Sequence, residues 1–339
     1  MNQKNPEFQI PPEPKTVAIL VHQFVMLLNV AGPADVFNTA NQESCATGGP
    51  PVYRVVLLSR DGGPVTCSSG IEINTAPLPD PETMDFDTIA VAGGMGIQDL
   101  ARDPVVISWL IKAAEGATRI ASFGGGAFIL ARAGLLDTRR CVTHWRYGNS
   151  LQKSYPSIKV DGDSLFVADG KLYTTAGSTA GIDLAIQMIE DDLGKQMALD
   201  VARILLVARK RPGEQPQISA ELRAQSASVP KIAAAAEWIA SHIEDQLRIS
   251  DIAERFAMSE RNFSRSFKRD LGMSPQQFIA AARIETARRW LVESKVPFEK
   301  VARRSGFSSS EQLTLAFRKV MGVSPAEYRA VPHSTRLIG

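Results

Sequence analysis

The stretch RIASFGGGAFILARAGLL, residues 119–136, has the outline of a chemical site without its reactive group. Ile120 to Phe123 reads as a short buried strand, and the apolar periodicity from Ala127 to Leu136 reads as a helix. Gly124, Gly125 and Gly126 make the turn between them. A tight strand-to-helix turn of this kind often presents a nucleophile, yet no Ser, Cys or Thr stands at the apex. Ser122 lies two residues back, on the strand and below the turn. Cys141 lies three residues before His144, but nearness in sequence does not build a dyad, and it reads as a buried structural thiol. Ser178, in AGST, reads as the start of a helix. What remains is shape: glycine lets backbone approach a bound molecule, and a helix start offers N–H groups to an anionic or carbonyl group. A turn that serves packing alone is the competing reading. A second Gly-rich turn, AGGMG at 92–96, adds backbone donors beside the first. Neither turn fits GxGxxG or GxxxxGK[ST], which excludes dinucleotide and P-loop chemistry. The histidines His22, His144, His242 and His333 lack ligand spacing, so no metal and no cofactor is expected.

A second set of chemistry-bearing residues lies near the other end. SERNFSRSFKRDLGMSPQQF (259–278) repeats as SSEQLTLAFRKVMGVSPAEY (309–328) at an offset of 50. Phe263 and Phe267 fall on one helical face, as do Leu313 and Phe317. That leaves Arg261, Asn262, Ser264, Arg265, Lys268 and Arg269 outward in the first copy. Ser310, Glu311, Gln312, Thr314, Arg318 and Lys319 point outward in the second. Such a face suits a DNA major groove, where Arg reads guanine bidentately and Lys or Arg neutralises phosphate.

The elements that must position these residues follow from periodicity. Continuous apolar runs at 16–21, 53–58 and 86–92 read as buried strands. Helical patterns at 33–41, 104–115, 127–136 and 180–209 alternate with them. This alternation predicts an α/β fold, a parallel sheet covered by helices, with ligands bound beyond the carboxyl ends of the strands. Residues 211–229 are polar and Pro-rich and read as a linker. Beyond it only helices are expected. ISDIAERF (249–256) and PFEKVARRS (297–305) each precede one copy of the repeat, making two helix-turn-helix units. Gly272 and Gly322 stop the second helix of each. A helix over about 275–293 would hold the units at fixed separation, with the two reading helices roughly 34 Å apart.

Composition agrees with two jobs. Of 339 residues, those from 229 onward carry a net charge of +6 and those before carry −4. A basic part behind an acidic part points to an anionic partner for the former. Cys45, Cys67 and Cys141 form neither a disulfide framework nor a metal pair, as in a cytoplasmic protein. No apolar run is long enough to span a membrane. The stretches 1–14 and 332–339 read as tails.

Two resemblances sharpen this. Residues 230–331, with GFSSSEQLTLAFRKVMGVSPAEYR, resemble the AraC/XylS DNA-binding module. In that module residues at the positions of Arg261, Ser264 and Arg265 tend to meet bases in the first unit, and those at Glu311, Gln312 and Thr314 in the second. Leu315 stands where relatives commonly carry Arg; leucine can neither read guanine nor hold a phosphate, though it can touch a thymine methyl. Residues 15–210 resemble the PfpI-type branch of the glutamine amidotransferase-like superfamily, flavodoxin-like in fold. The stretches that carry it are LLNVAGPADVFNTAN (27–41), VAGGMG (91–96), IASFGGGAFILARAGLLDTRRCVTHW (120–145) and TTAGSTAGIDLAIQMIEDDLG (174–194). The two together are the architecture of GlxA-like transcription regulators. By that resemblance the nucleophilic Cys position is Gly124 and the acid position is Asn29, while His144 remains. A His with neither partner cannot run the shared reaction, in which a thiolate attacks.

The expectation is a regulator and not an enzyme. An α/β domain at 15–210 would dimerise and sense a small metabolite through Asn29, Gly93, Gly94, Met95, Phe123, Gly124, Gly125, His144 and Trp145. A domain at 230–331 would bind double-stranded promoter DNA. The resemblance leans toward activation, RNA polymerase as a partner, and an amino acid or quaternary amine as effector. The alternative is a DNA-binding protein with residual amidase, hydratase or glyoxalase-like activity. An orphan that only dimerises is a third reading.

Overall fold

The computed structural model describes residues 13–83, 85–208, 211–225, 227–293, 296–321 and 323–330. Most of the stretch 1–14, the helix stop at Gly322, the stretch 332–339 and His333 lie outside the described residues. Contacts divide the chain into two compact units that meet in sequence between Gln217 and Ile218.

The first unit runs β1 (Lys15–Leu20), α1 (Leu28–Ala46), β2 (Tyr53–Ser59), β3 (Asp61–Thr66), β4 (Glu72–Pro77) and β5 (Thr88–Ala92). There follow α2 (Ile97–Leu100), α3 (Pro104–Gly116), β6 (Arg119–Phe123), a 3-10 turn (Gly124–Gly126) and α4 (Ala127–Arg132). Then come β7 (Arg140–Val142), α5 (Gly148–Ser154), β8 (Lys159–Asp161), β9 (Phe166–Asp169), β10 (Leu172–Thr175), α6 (Thr179–Leu193) and α7 (Lys195–Ile204). Eight strands form one sheet in the order β3-β4-β2-β1-β5-β6-β10-β9. Neighbours from β4 through β10 are parallel, while β3 and β9 pair antiparallel at the two edges.

The pleat explains why β1 is apolar from Val17 to Leu20. Val17 and Ile19 enter the core shared with Phe37, Leu184, Ile186 and Val201, under α1, α6 and α7. Ala18 and Leu20 enter the core with Val106, Leu110, Ile129 and Leu130, under α3 and α4. A strand covered on both faces has no polar side to show. Each fully buried Leu, Ile or Phe here contributes about 1.5–3 kcal/mol. At the amino ends of the strands, Asp192 accepts from Lys15 Nζ at 2.6 Å, from the Tyr53 hydroxyl at 2.9 Å and from the Arg119 guanidinium.

Two helices differ from the periodic reading. The pattern at 180–209 is broken into α6 and α7 by Gly194, whose φ of 85° ends one helix and begins the next. The pattern at 127–136 stops at Arg132, with Gly134 in a turn at φ 72°. Apolar periodicity continues past both ends because the turn residues also face the core.

The stretch read as a linker is divided. Residues 211–217 lie on the first unit: Arg211 binds the buried Asp183, and the Gly213 carbonyl accepts from Leu165 N–H. Helix α8 (Ala220–Gln225) packs Ala220 and Ala224 into the second unit.

The second unit continues with α9 (Pro230–Ser241), α10 (Ile249–Arg255), α11 (Glu260–Leu271), α12 (Pro275–Glu293), α13 (Phe298–Arg304), α14 (Ser310–Met321) and α15 (Pro325–Ala330). The repeat is visible bond by bond. Ser259 Oγ accepts from Asn262 N–H to start α11, and Ser309 Oγ accepts from Gln312 N–H to start α14. Ser274 and Gln277 form a reciprocal capping box at α12, and Ser324 and Glu327 form its copy at α15. Gly272 closes α11 in the left-handed region at φ 75°. The copies differ at the turn between α13 and α14, which is one residue longer than that between α10 and α11. Gly306 lies in that turn, where a Cβ would stand 2.0 Å from the Ile243 carbonyl.

Candidate functional site: a strand-to-helix elbow and two exposed helix faces

The elbow is built from four loops at the carboxyl end of the sheet. Gly124 leaves β6 at φ 58°, a conformation that suits glycine. Its carbonyl accepts from Thr143 Oγ1 at 2.8 Å. A Cβ at 124 would lie 3.3 Å from the Ala176 carbonyl and 3.6 Å from Asn29 Nδ2. The neighbouring elbow, between β10 and α6, therefore packs against it. Ser178 there holds φ 53° and ψ −129°, strained for a residue with a side chain. It occupies the N-cap position, but its hydroxyl does not cap the helix and instead donates to Met26 Sδ at 3.4 Å.

Asn29 joins three of these loops. It is 4% exposed, its Nδ2 donates to the Gly93 carbonyl at 2.9 Å, and its Oδ1 accepts from Ser178 N–H at 2.7 Å. A neutral carboxamide can do both at once; a carboxylate has no donor for Gly93. The second Gly-rich turn is engaged as well. Gly93 N–H donates to the Phe123 carbonyl at 2.8 Å, and Met95 N–H to the Phe24 carbonyl at 2.9 Å. A Cβ at Gly93 would stand 2.4 Å from Gly125 N, and one at Gly94 would stand 2.4 Å from the Phe24 carbonyl. Glycine here permits backbone to pack on backbone.

The expected ligand residues thus do not all come together. Asn29, Gly93, Gly94, Gly124 and Gly125 come together as the elbow's frame. Phe123 is buried against Gly181 of α6, inside the core. Met95 is 80% exposed and Trp145 48% exposed, at the surface of the loops that frame the elbow. His144 is half-buried; its Nδ1 accepts from Arg146 N–H, and its ring lies 5.4 Å from that of Trp145 and 5.8 Å from that of Tyr147. Burial, with help from the Arg146 charge, lowers its pKa, which keeps the imidazole neutral at pH 7.

Sequence reasoning missed four participants: Thr143, Phe24, Met26 and Gln217. Gln217 Oε1 accepts from Trp145 N–H at 2.7 Å, and its Nε2 donates to the Thr143 and Ser164 carbonyls at 3.0 Å. A glutamine in a polar, Pro-rich stretch carries no sequence signal of such a role. An open cleft of about 310 Å³ lies beside the elbow and not over it, lined by His22, Gln23, Phe24, Arg60, Asp99 and Asp103 among others. None of the expected ligand residues lines it.

Thiolate chemistry has little to work with. Ser122 is fully buried on β6 and its hydroxyl has no hydrogen-bond partner among the described residues. Burial, and then Asp161, push the Cys141 thiol up to about 12, so it stays protonated. Burial also raises the Cys67 thiol, and Cys45 is exposed on α1. Among the described residues no group of three His, Cys, Asp or Glu side chains could hold a metal ion, and no helix is long and apolar enough to cross a membrane.

The second unit presents two helix faces. On α11, Phe263, Ser266 and Phe267 are buried, while Arg261, Asn262, Arg265, Lys268 and Arg269 are exposed and Ser264 is half-buried. Arg265 Nη2 donates to Asn262 Oδ1 at 3.4 Å. On α14, Leu313 and Phe317 are buried, and Glu311, Gln312, Leu315, Arg318 and Lys319 are exposed. Ser310 and Thr314 are half-buried, and Thr314 Oγ1 donates back to the Ser310 carbonyl at 2.8 Å.

Comparison with known proteins places both units. Residues 15–191 match the DJ-1/PfpI family, and residues 252–330 match a helix-turn-helix domain. The HTH-type transcriptional regulator CdhR of Pseudomonas aeruginosa is 31% identical over 280 residues, covering 83% of this chain and 82% of its own. The HTH-type transcriptional regulator GlxA of Rhizobium meliloti is 29% identical, covering 92% and 94%. A crystal structure of a ThiJ/PfpI family protein from Pseudomonas syringae superposes with a TM-score of 0.53 at 19% identity, over 80% of this chain and 98% of that one, which speaks to fold alone. The chain belongs to the DJ-1/PfpI family, in the branch where that α/β domain is followed by an AraC-type helix-turn-helix domain, as in the HTH-type transcriptional regulators it resembles.

Proposed function

We propose that this chain is a sequence-specific transcription regulator, an activator, whose second unit binds promoter DNA and whose first unit senses a small metabolite. The observation that carries the reading is the duplicated pair of exposed faces on α11 and α14, each backed by a buried apolar seam and started by a serine cap. Arg261, Asn262, Ser264 and Arg265 read bases in the first unit, with Lys268 and Arg269 on phosphate. Glu311, Gln312 and Thr314 read bases in the second, with Arg318 and Lys319 on phosphate. The chain acts as a homodimer through the first unit, in the cytoplasm, and recruits RNA polymerase.

The effector is an amino acid or a quaternary amine that docks at the mouth of the elbow. Neutral His144 and the exposed Phe24, Met26, Met95, Trp145 and Tyr147 supply apolar and cation–π contact on loops tied to Gly124. Gln217 carries the signal. It holds the Thr143–Trp145 loop and directly precedes the second unit in sequence. An effector that favours one arrangement of that loop then favours one setting of the second unit. The protein has no catalytic role in this reading, because the elbow presents Gly124 where a nucleophile would stand.

Thermal-shift screening of amino acids and quaternary amines, followed by fluorescence anisotropy on promoter fragments with and without each stabilising compound, tests the reading. A compound that stabilises the chain and changes its affinity for one fragment supports it. Turnover of such a compound, without effect on DNA affinity, would count against it.

A further inference from the structure

Leu315 is 71% exposed at the centre of the outward face of α14. Isolated exposed leucines are ordinary, so its position is what matters. Leu313 and Phe317 pack inward, with Phe317 5.1 Å from Tyr328. At about 100° per residue, Leu315 stands roughly 180° from the midpoint of that pair. Arg265 stands in the same relation to Phe263 and Phe267 on α11, 50 residues earlier. The two helices therefore offer opposite chemistry at one equivalent point. Beside Leu315, the half-buried Thr314 has its hydroxyl turned back to the Ser310 carbonyl. Around them lie Glu311 and Gln312, and the cations Arg318 and Lys319 at the helix end.

Resting on the DNA-binding reading above, we propose that the second helix-turn-helix unit reads a thymine through Leu315, by apolar contact with its 5-methyl group in the major groove. Thymine alone among the four bases shows a methyl there, and apolar side chains are its partners. The first unit, with Arg265, reads guanine. The two half-sites of the operator thus differ in kind, and the protein's direction on DNA is fixed by which half carries the methyl.

The test uses the full chain and a duplex enriched from a random library by the full chain itself. Each thymine is replaced in turn by uracil, which removes only the methyl, and affinity is read by anisotropy. One replacement, in the half-site farther from that weakened by Arg265→Ala, should reduce wild-type affinity about fourfold, the worth of one buried methyl-sized group. Leu315→Ala should lose a similar factor on the thymine duplex and be indifferent to that replacement. Leu315→Arg should move the preferred base at that position from thymine to guanine. If no replacement distinguishes wild type from Leu315→Ala, the proposal is overturned while DNA binding stands. If the chain enriches no duplex at all, the DNA-binding reading falls and takes the proposal with it.

Discussion

The backbone N–H of Trp145 donates to the side-chain oxygen of Gln217 at 2.7 Å, across 72 residues of sequence. The same carboxamide donates to the Thr143 carbonyl, and Thr143 in turn donates to the carbonyl of Gly124 at the elbow. Three hydrogen bonds therefore run from the candidate effector site to the residue that precedes the second unit.

Gln217→Ala removes the three bonds that the side chain makes. At about 1 kcal/mol net for each, the first unit should lose roughly 1–3 kcal/mol in denaturant unfolding. Effector binding, read by calorimetry, should persist. The effector's influence on DNA affinity should fall toward none. A variant that keeps full effector control of DNA binding would remove Gln217 from the route.

Asn29→Asp tests the brace at the elbow. The new carboxylate would be buried and would face the Gly93 carbonyl without a donor. Both effects favour its protonated form, so its folded pKa should rise. The variant's deficit should therefore be smaller at pH 4 than at pH 7 and should grow as pH rises through the unfolded carboxylate range. Urea unfolding at both pH values measures it. A deficit that shrinks as pH rises would show that Asn29 does not hold the loops as described.

Asp192 carries the opposite sign. Burial alone would raise its pKa, but the Arg119 and Lys15 contacts outweigh this and hold it below the usual carboxylate value. Its stabilisation is present above the ordinary value near 3.9 and is lost as pH falls through its lower folded value. Asp192→Asn should cost about 3–5 kcal/mol at pH 7, since it removes the carboxylate that Arg119 and Lys15 share. The gap between variant and wild type should narrow in acid.

Gly124→Ala places a Cβ on a left-handed residue, 3.3 Å from the Ala176 carbonyl. A loss of about 1–2 kcal/mol is expected in thermal or urea unfolding. No loss would mean that the turn relaxes readily, and the tight frame described at the elbow would be wrong.

The sequence made some of this plain and hid the rest for physical reasons. The repeat was legible because the same bonds recur in both copies: Ser259 and Ser309 cap, and Ser274 and Ser324 each close a box. The central strands were legible because burial on both faces leaves β1 no polar residue between Val17 and Leu20. The edge strand β3 was not, since its largely exposed residues include glycine, proline and acid as loops do; β9 was not, because the four residues FVAD are too few to show a period. Glycine at the elbow was seen, but whether it cradles a ligand or permits packing depends on what lies opposite. Gly93 against Gly125 is a contact made across the sheet, which one-dimensional spacing cannot reveal. The division of 211–229 was hidden likewise, because Arg211 and Gln217 find partners more than 25 residues away.

The most direct test of the central claim is a footprint of the full chain on a duplex it has enriched, with wild type beside Arg265→Ala. Two protected major-groove segments about one helical turn apart are predicted, and Arg265→Ala should lose one of them with about 1–3 kcal/mol of affinity on that sequence. A single unstructured stretch of protection, weakened by Arg265→Ala to the same degree on every sequence, would contradict it.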